Sequence, residues 1–234
     1  MTKRNVFSIV LSFLFFQALL AQEKKDSLVM QFHLRFGATQ LVANQEYVSK
    51  NNDTLQIETF RFYISNIEIQ YEDKTIFKPK NCYHLIDLAS LESQRIPLNL
   101  FLRKPIQKII FTIGIDSLAS VSGALGGDLD PAKGMYWAWQ SGYINMKMEG
   151  KSPSCKTRKN EFQFHIGGYL KPNNAMRIID IPILKTHIAT EIIVGVDVAK
   201  LFDTIDLKTI NSIMIPGKQA MKIADYSTQF FQIE

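Results

Sequence analysis

Alternation of apolar and polar residues is the dominant pattern along this chain. Between Val29 and Phe36, the side chains of Phe32, Leu34 and Phe36 fall on one face and polar side chains on the other. A period of two residues is typical of a strand that is buried on one face. Further segments with strand character are 59–71, 81–88, 107–115, 135–149, 161–170, 176–183 and 188–198.

The spacing of these segments predicts the fold class. Many short strands separated by turns, with no repeat of fixed period and no long linker, favour an antiparallel β-sandwich. Only a few short helices are expected, at 117–122, at 198–202 and near 218–224. The second of these has a start signal, because Asp197 stands at the N-cap position. We therefore predict an all-β protein with a few short helices.

The N-terminus has the order of a secretory signal peptide. Lys3 and Arg4 give a positive start, residues 6–16 are almost entirely apolar, and Ala21 is a small residue at the predicted cleavage point. The apolar run is shorter than the roughly 20 residues that a membrane-spanning helix needs. An uncleaved anchor is the alternative. The pattern therefore predicts a cleaved signal peptide at 1–21 and export of the mature protein to the periplasm or the extracellular space.

The mature chain, residues 22–234, is expected to form one domain. Losing the signal peptide lowers the formal charge of +5 by two, and the remaining basic residues are scattered, so nucleic acid is not an expected partner. No later segment is apolar for long enough to span a membrane. In an oxidising compartment Cys82 and Cys155 could form a disulfide or remain separate thiols, and the sequence leaves both open.

Catalytic motifs are missing from the sequence. It has no phosphate-binding glycine loop, no Cys-x-x-Cys pair, no His-Glu-x-x-His helix and no Gly-x-Ser-x-Gly elbow. Its four histidines do not suggest a hydrolase triad. The sequence therefore predicts a binding protein and not an enzyme.

Both tryptophans of the chain fall in one unusual segment. If residues 135–149 form a strand, then Met135, Trp137 and Trp139 share a face, because residues two apart on a strand point the same way. One interpretation is an aromatic patch of the core. The other is a group of oxidisable side chains beside a metal ion.

The sequence resembles the MbnP-like family of secreted copper-binding proteins. These proteins are related to copper-repressed surface proteins of methane-oxidising bacteria. The most specific block runs from Asp130-Pro131 to Ser141-Gly142-Tyr143 and includes both tryptophans. The matching stretches occur in order along nearly the whole mature chain and are 60–67, 83–87, 111–116, 129–143, 164–168 and 222–225.

The resemblance implies a β-sandwich with one copper ion held by histidine nitrogens and a tryptophan oxidised to kynurenine. Imidazole suits copper, whereas an unmodified indole offers only an N–H group. The aryl amine of kynurenine is a nitrogen donor. The partners implied are a di-haem enzyme of the MauG type, which is associated with the oxidation, and outer-membrane components of copper transport.

Carried over to this chain, the resemblance implies that His165 and His84 are the metal ligands. Trp137 or Trp139 would be the modified residue. Some relatives have a histidine two residues from the modified tryptophan, and here the other tryptophan occupies that position. The alternation of residues 161–170 places His165 on the polar face, where a hydrogen bond to a neighbouring strand is an equally open role.

His84 alternates with Cys82 and Ile86, so a structural role in a partly buried position is also open. His33 and His187 are expected at the surface. The alternative to a copper-binding protein is therefore a secreted β-sandwich interaction module without metal.

Acidic residues in the glycine-bearing loop suggest a second hypothesis. Asp128 and Asp130, with Asp116 upstream, could bind calcium through oxygen. The spacing does not match an EF-hand, and Asp next to Pro and Gly is also typical of a tight turn.

Overall fold

A computed structural model of the protein describes residues 27–80, 83–100, 104–140, 142–183 and 190–234. Two sheets face each other across a common core. The strands are β1 (Val29–Phe36), β2 (Thr39–Gln40), β3 (Glu46–Val48), β4 (Thr54–Tyr71), β5 (Ile76–Phe77), β6 (Tyr83–Asp87), β7 (Arg95–Pro97), β8 (Ile106–Ile113), β9 (Tyr136–Trp137), β10 (Gly142–Lys151), β11 (Glu161–Gly167), β12 (Arg177–Pro182), β13 (Glu191–Asp197), β14 (Ser212–Ile213) and β15 (Phe231–Ile233).

The smaller sheet has the order β15-β13-β1-β2, and β7 also pairs with β1. Its central pairing, β1 with β13, is parallel. Since β1 and β13 lie at opposite ends of the chain, no hairpin turn joins them, and only hairpin-joined neighbours must be antiparallel.

The larger sheet has the order β12-β8-β4-β10-β11-β14 and is organised around the long strand β4. One edge of β4 pairs first with β10 and then with β8, while the short strands β3, β6 and β5 pair along the other edge. The pairing of β10 with β11 shifts register between Ile144 and Met146. A bulge of this kind re-aims the side chains that follow it.

Three short α-helices connect or close the sheets: α1 (Ser117–Val121), α2 (Ala199–Phe202) and α3 (Lys218–Ser227). The carboxylate of Asp116 accepts a hydrogen bond from the Ala119 amide and so caps α1. Asp197 accepts from the amide of Ala199, the first residue of α2. No helix among the described residues is long and apolar enough to cross a membrane.

The main core lies between the two sheets. On β1 the residues Phe32 and Leu34 point into it, as the alternation predicts, and Phe62, Phe111 and Phe164 meet them from the larger sheet. The ring of Phe32 makes edge-to-face contacts with Phe62 and Phe111 at centroid distances of 6.0 Å and 5.9 Å. Such pairs add specific geometry to the burial of apolar area.

The predicted fold class, all-β with a few short helices, is confirmed. The sheets are mixed and not purely antiparallel, because β1 with β13 and β11 with β14 run parallel. Residues 1–21, His187 and Cys82 lie outside the described residues. The signal peptide and the pairing of the two cysteines therefore stay predictions. Cys155 itself is buried, and this burial raises the pKa of its thiol to about 11.

Candidate functional site

A second, smaller core lies on the outer face of the larger sheet. The segment from Ile115 to Gln140 crosses this face and covers part of it. The buried members of this outer cluster are Tyr63, Leu85, Ile115, Ala119, Leu129, Met135, Trp137, Tyr143 and Ile144. The strands beneath it therefore have apolar contacts on both faces.

Tyrosine hydroxyls and one arginine fix the covering segment to the sheet. Tyr63 donates to the carbonyl of Asp128 at 3.0 Å, and Tyr143 donates to the carbonyl of Leu129 at 2.9 Å. Arg61 on β4 donates to the carbonyl of Lys133 at 3.0 Å. Burial raises the pKa of the Tyr63 hydroxyl, which keeps it a hydrogen-bond donor. The covering segment is thus held by polar contacts as well as by apolar packing.

The two tryptophans meet at the end of this segment, but not on one strand face. The strand predicted over 135–149 is interrupted by a turn at 138–140, so that Trp137 belongs to β9 and pairs with Gly142. Trp137 is 6% exposed and Trp139 is 64% exposed. Their ring centroids are 5.6 Å apart. The indole pair is therefore formed by a tight turn, with one ring buried and the other in solvent.

The buried indole rests on Gly167 of β11. A methyl group in place of the glycine hydrogen would lie 2.7 Å from Cζ3 of Trp137. Because residues two apart on a strand share a face, His165 lies on the same outer face, about 7 Å along the strand from Gly167. The fold thus brings His165 and the indole pair onto one surface of the larger sheet.

His165 is 7% exposed and is held by a carboxylate. Its Nε2 atom lies 2.6 Å from Oε1 of Glu149 on the neighbouring strand β10. The ammonium of Lys147 lies 3.4 Å from the same oxygen. Hydrogen bonding from His165, together with the charge of Lys147, lowers the pKa of Glu149 although burial opposes this. These three side chains form the polar triad His165-Glu149-Lys147.

Cross-strand register explains why these groups meet. His165 stands opposite Lys147, Lys147 stands opposite Arg61, and Arg61 stands opposite Asp87. Arg61 Nε donates to Asp87 at 2.7 Å. Directly opposite side chains lie close enough to interact. A row of polar groups therefore crosses four strands beside the outer cluster.

His84, the other predicted ligand, does not join this face. His84 lies on β6, opposite Ile64 of β4. It shares the face of Ile86, which belongs to the main core. It is partly buried, its Nε2 atom is buried without a partner, and burial lowers its pKa while Asp128 opposes the shift. Three strand spacings, about 14 Å, separate β6 from β11. His84 and His165 are therefore not within reach of one metal ion.

His33 lies on the outer face of the other sheet. Its side chain is 39% exposed, and its Nδ1 atom lies 2.7 Å from Glu234. Its Nε2 atom lies 3.2 Å from Gln31. Both ring nitrogens are thus engaged, and the ring is remote from the indole pair.

The acidic loop residues serve the local backbone. Asp130 accepts from the amide of Ala132, and Asp128 accepts from the amide of Leu85 and pairs with Lys133 at 2.6 Å. These contacts are those of turn chemistry. They tie the covering segment to β6 and leave the calcium hypothesis without support.

The metal-donor inventory of the outer face is short. Among the described residues, no group of three or more His, Cys, Asp or Glu side chains is placed to hold a metal ion. The polar triad supplies one imidazole and one carboxylate. Sequence reasoning missed Glu149, although its alternation with Met146 and Met148 marked it as an outward-facing polar residue.

Comparisons with known proteins place the chain in a family. Residues 25–215 match the family model described as MbnP. The structure is similar to that of MbnP from Methylosinus trichosporium, with a TM-score of 0.58 and 12% sequence identity over 82% of each chain. At this identity the likeness shows a shared fold. Comparison with curated proteins gives no significant match. Since the family model covers most of the sequence, the chain belongs to the MbnP family.

Proposed function

We propose that this protein is an exported copper-binding protein that acts in copper uptake or handling outside the cytoplasm, and that it is not an enzyme. One observation carries the proposal. A buried imidazole, His165, is oriented by the Glu149 carboxylate on the same sheet face as the pair formed by Trp137 and Trp139. Family membership and the shared fold support it.

The residues of this face fit part of a copper site. Imidazole nitrogen is a good copper ligand, and ligating histidines usually donate their other ring N–H to a carboxylate. His165 and Glu149 meet this description. The described residues do not supply a complete donor set. In our proposal Trp137 or Trp139, once oxidised to kynurenine, contributes an aryl amine as a further nitrogen donor.

Kynurenine differs from tryptophan by the net gain of one oxygen atom and the loss of one carbon atom. We propose that a di-haem enzyme of the MauG type supplies the oxidising equivalents and that outer-membrane copper transport components receive or deliver the metal. The solvent-exposed ring of Trp139 makes this end of the sheet accessible to a protein partner. Intact-mass and peptide mass analysis of protein from its native host tests the modification directly.

Copper binding by the mature protein tests the central claim. His165→Ala is expected to remove most of the bound copper, while His33→Ala, a histidine on the other sheet, is expected to leave it unchanged. Metal content and a competition titration with a chromophoric chelator measure both. Circular dichroism must show that each variant is folded. Copper binding that survives in folded His165→Ala would contradict the proposal.

A secreted interaction module without metal is the second candidate. It is favoured by the burial of Trp137 within the outer cluster, where the indole already has a packing role. The small number of donors on this face also favours it. On this hypothesis the mature protein binds copper no better than His165→Ala does, and the exposed ring of Trp139 contacts a protein partner.

A further inference from the structure

We infer that Glu149 is a positioning residue that fixes His165 in the tautomer with its proton on Nε2. In this tautomer Nδ1 has a lone pair and is the atom presented to a ligand. The identity of that ligand as copper rests on the proposed function. The tautomer itself rests only on the contacts of the polar triad.

The hydrogen bond between His165 and Glu149 determines which ring nitrogen carries the proton. An ionised carboxylate only accepts hydrogen bonds, and a neutral imidazole has one donor and one acceptor nitrogen. With Nε2 of His165 2.6 Å from Oε1 of Glu149, Nε2 must carry the proton. Nδ1 is then the unprotonated nitrogen.

The other ring nitrogen of His165, Nδ1, has different surroundings. This atom forms no hydrogen bond with the described residues. It is therefore a nitrogen without a polar partner among the described residues, on a ring that belongs to a residue only 7% exposed.

Lys147 completes the arrangement. Its ammonium lies 3.4 Å from Oε1 of Glu149, the same oxygen that accepts from His165. Oε1 thus lies between an ammonium and an N–H group. This geometry fits a carboxylate oxygen that holds the ring in place.

The other described histidines lack this combination. His33 has both ring nitrogens engaged, and the Nε2 atom of His84 is buried without a partner. Within the described ranges, only His165 has one nitrogen oriented by a carboxylate and the other without a polar partner among the described residues. Glu149 thereby distinguishes His165 from the other described rings.

Nitrogen-15 NMR of the metal-free protein tests the tautomer. At about pH 8 the wild type should show His165 protonated on Nε2. Glu149→Gln should give a mixture of tautomers, because an amide can donate or accept. Glu58→Gln is the matched control, because that carboxylate pairs with Lys151, and it should keep the wild-type tautomer. A wild-type ring protonated on Nδ1, or an unchanged tautomer in folded Glu149→Gln, would overturn the inference.

Copper titration of the same variants separates this inference from the proposed function. Glu149→Gln should weaken copper binding by about 10–100-fold, the usual effect of losing such a partner, while His165→Ala should lose more. If the wild type binds no copper, the proposed function fails and the NMR result alone decides the inference. If Glu149→Gln loses copper as completely as His165→Ala, Glu149 is itself a ligand and the positioning role is wrong.

Discussion

The two faces of β11 are both buried, but for different reasons. Phe164 and Ile166 point inward and are 0% and 1% exposed in the main core between the sheets. His165 points outward and is 7% exposed, and Gly167 beside it lies beneath the Trp137 ring. The inner face is buried by the opposite sheet. The outer face is buried by a turn of the covering segment and by the charged neighbours of His165.

This difference shows which face can carry chemistry. Each unpaired polar group in an apolar core costs free energy to bury. The outer face contains an imidazole, a carboxylate and an ammonium that satisfy one another beside an indole pair. Function can therefore vary on the outer face while the inner face maintains the fold.

The largest expected effect separates the two tryptophans. Trp137→Ala should lower the free energy of unfolding by about 3–5 kcal/mol, the usual cost of truncating a buried aromatic residue. Trp139→Ala should change it by less than about 0.5 kcal/mol, as expected for an exposed side chain. Urea unfolding followed by circular dichroism measures both. Equal losses would mean that the turn at 138–140 does not place one ring in solvent.

A smaller effect is expected where the indole touches the strand. Gly167→Ala inserts a methyl group 2.7 Å from the Trp137 ring, so the ring or the strand must shift. Overpacking of this kind costs about 1–3 kcal/mol. Gly126→Ala is the matched control, because its added methyl group has no neighbour within 4 Å. Thermal unfolding and tryptophan fluorescence should change only in Gly167→Ala. Unchanged fluorescence there would contradict the contact.

Much of this architecture is predictable from alternation. The pattern from Val29 to Phe36 gives the strand and its buried face correctly, and the pattern around His165 separates it from Phe164 and Ile166. These predictions succeed because a period of two is a local property of the chain. The short helix predicted at 117–122 is confirmed at Ser117–Val121.

Contacts that depend on distant register were not predictable. Glu149 meets His165 because β10 and β11 pair in the register that sets Lys147 opposite His165, and the connection between the two strands is too long for this register to be known from sequence. The turn at 138–140 carries neither glycine nor proline, so the sequence predicts one continuous strand through both tryptophans. The parallel pairing of β1 with β13 likewise has no local signal.

The smallest expected effect is on the free energy of unfolding at acid pH. Because hydrogen bonding from His165 and the charge of Lys147 lower the pKa of Glu149 in the folded protein, the native state favours the ionised carboxylate. This contribution is fully present above the ordinary pKa of 4.5 and is lost as pH falls through the lower folded pKa. The free energy of unfolding of the wild type should therefore exceed that of Glu149→Gln by about 1 kcal/mol near pH 6. This difference should shrink toward about pH 3. Urea unfolding at both pH values measures this difference. A gap that widened in acid would show that the carboxylate is better accommodated in its protonated form, and the outer face would then lack the ionised group that orients His165.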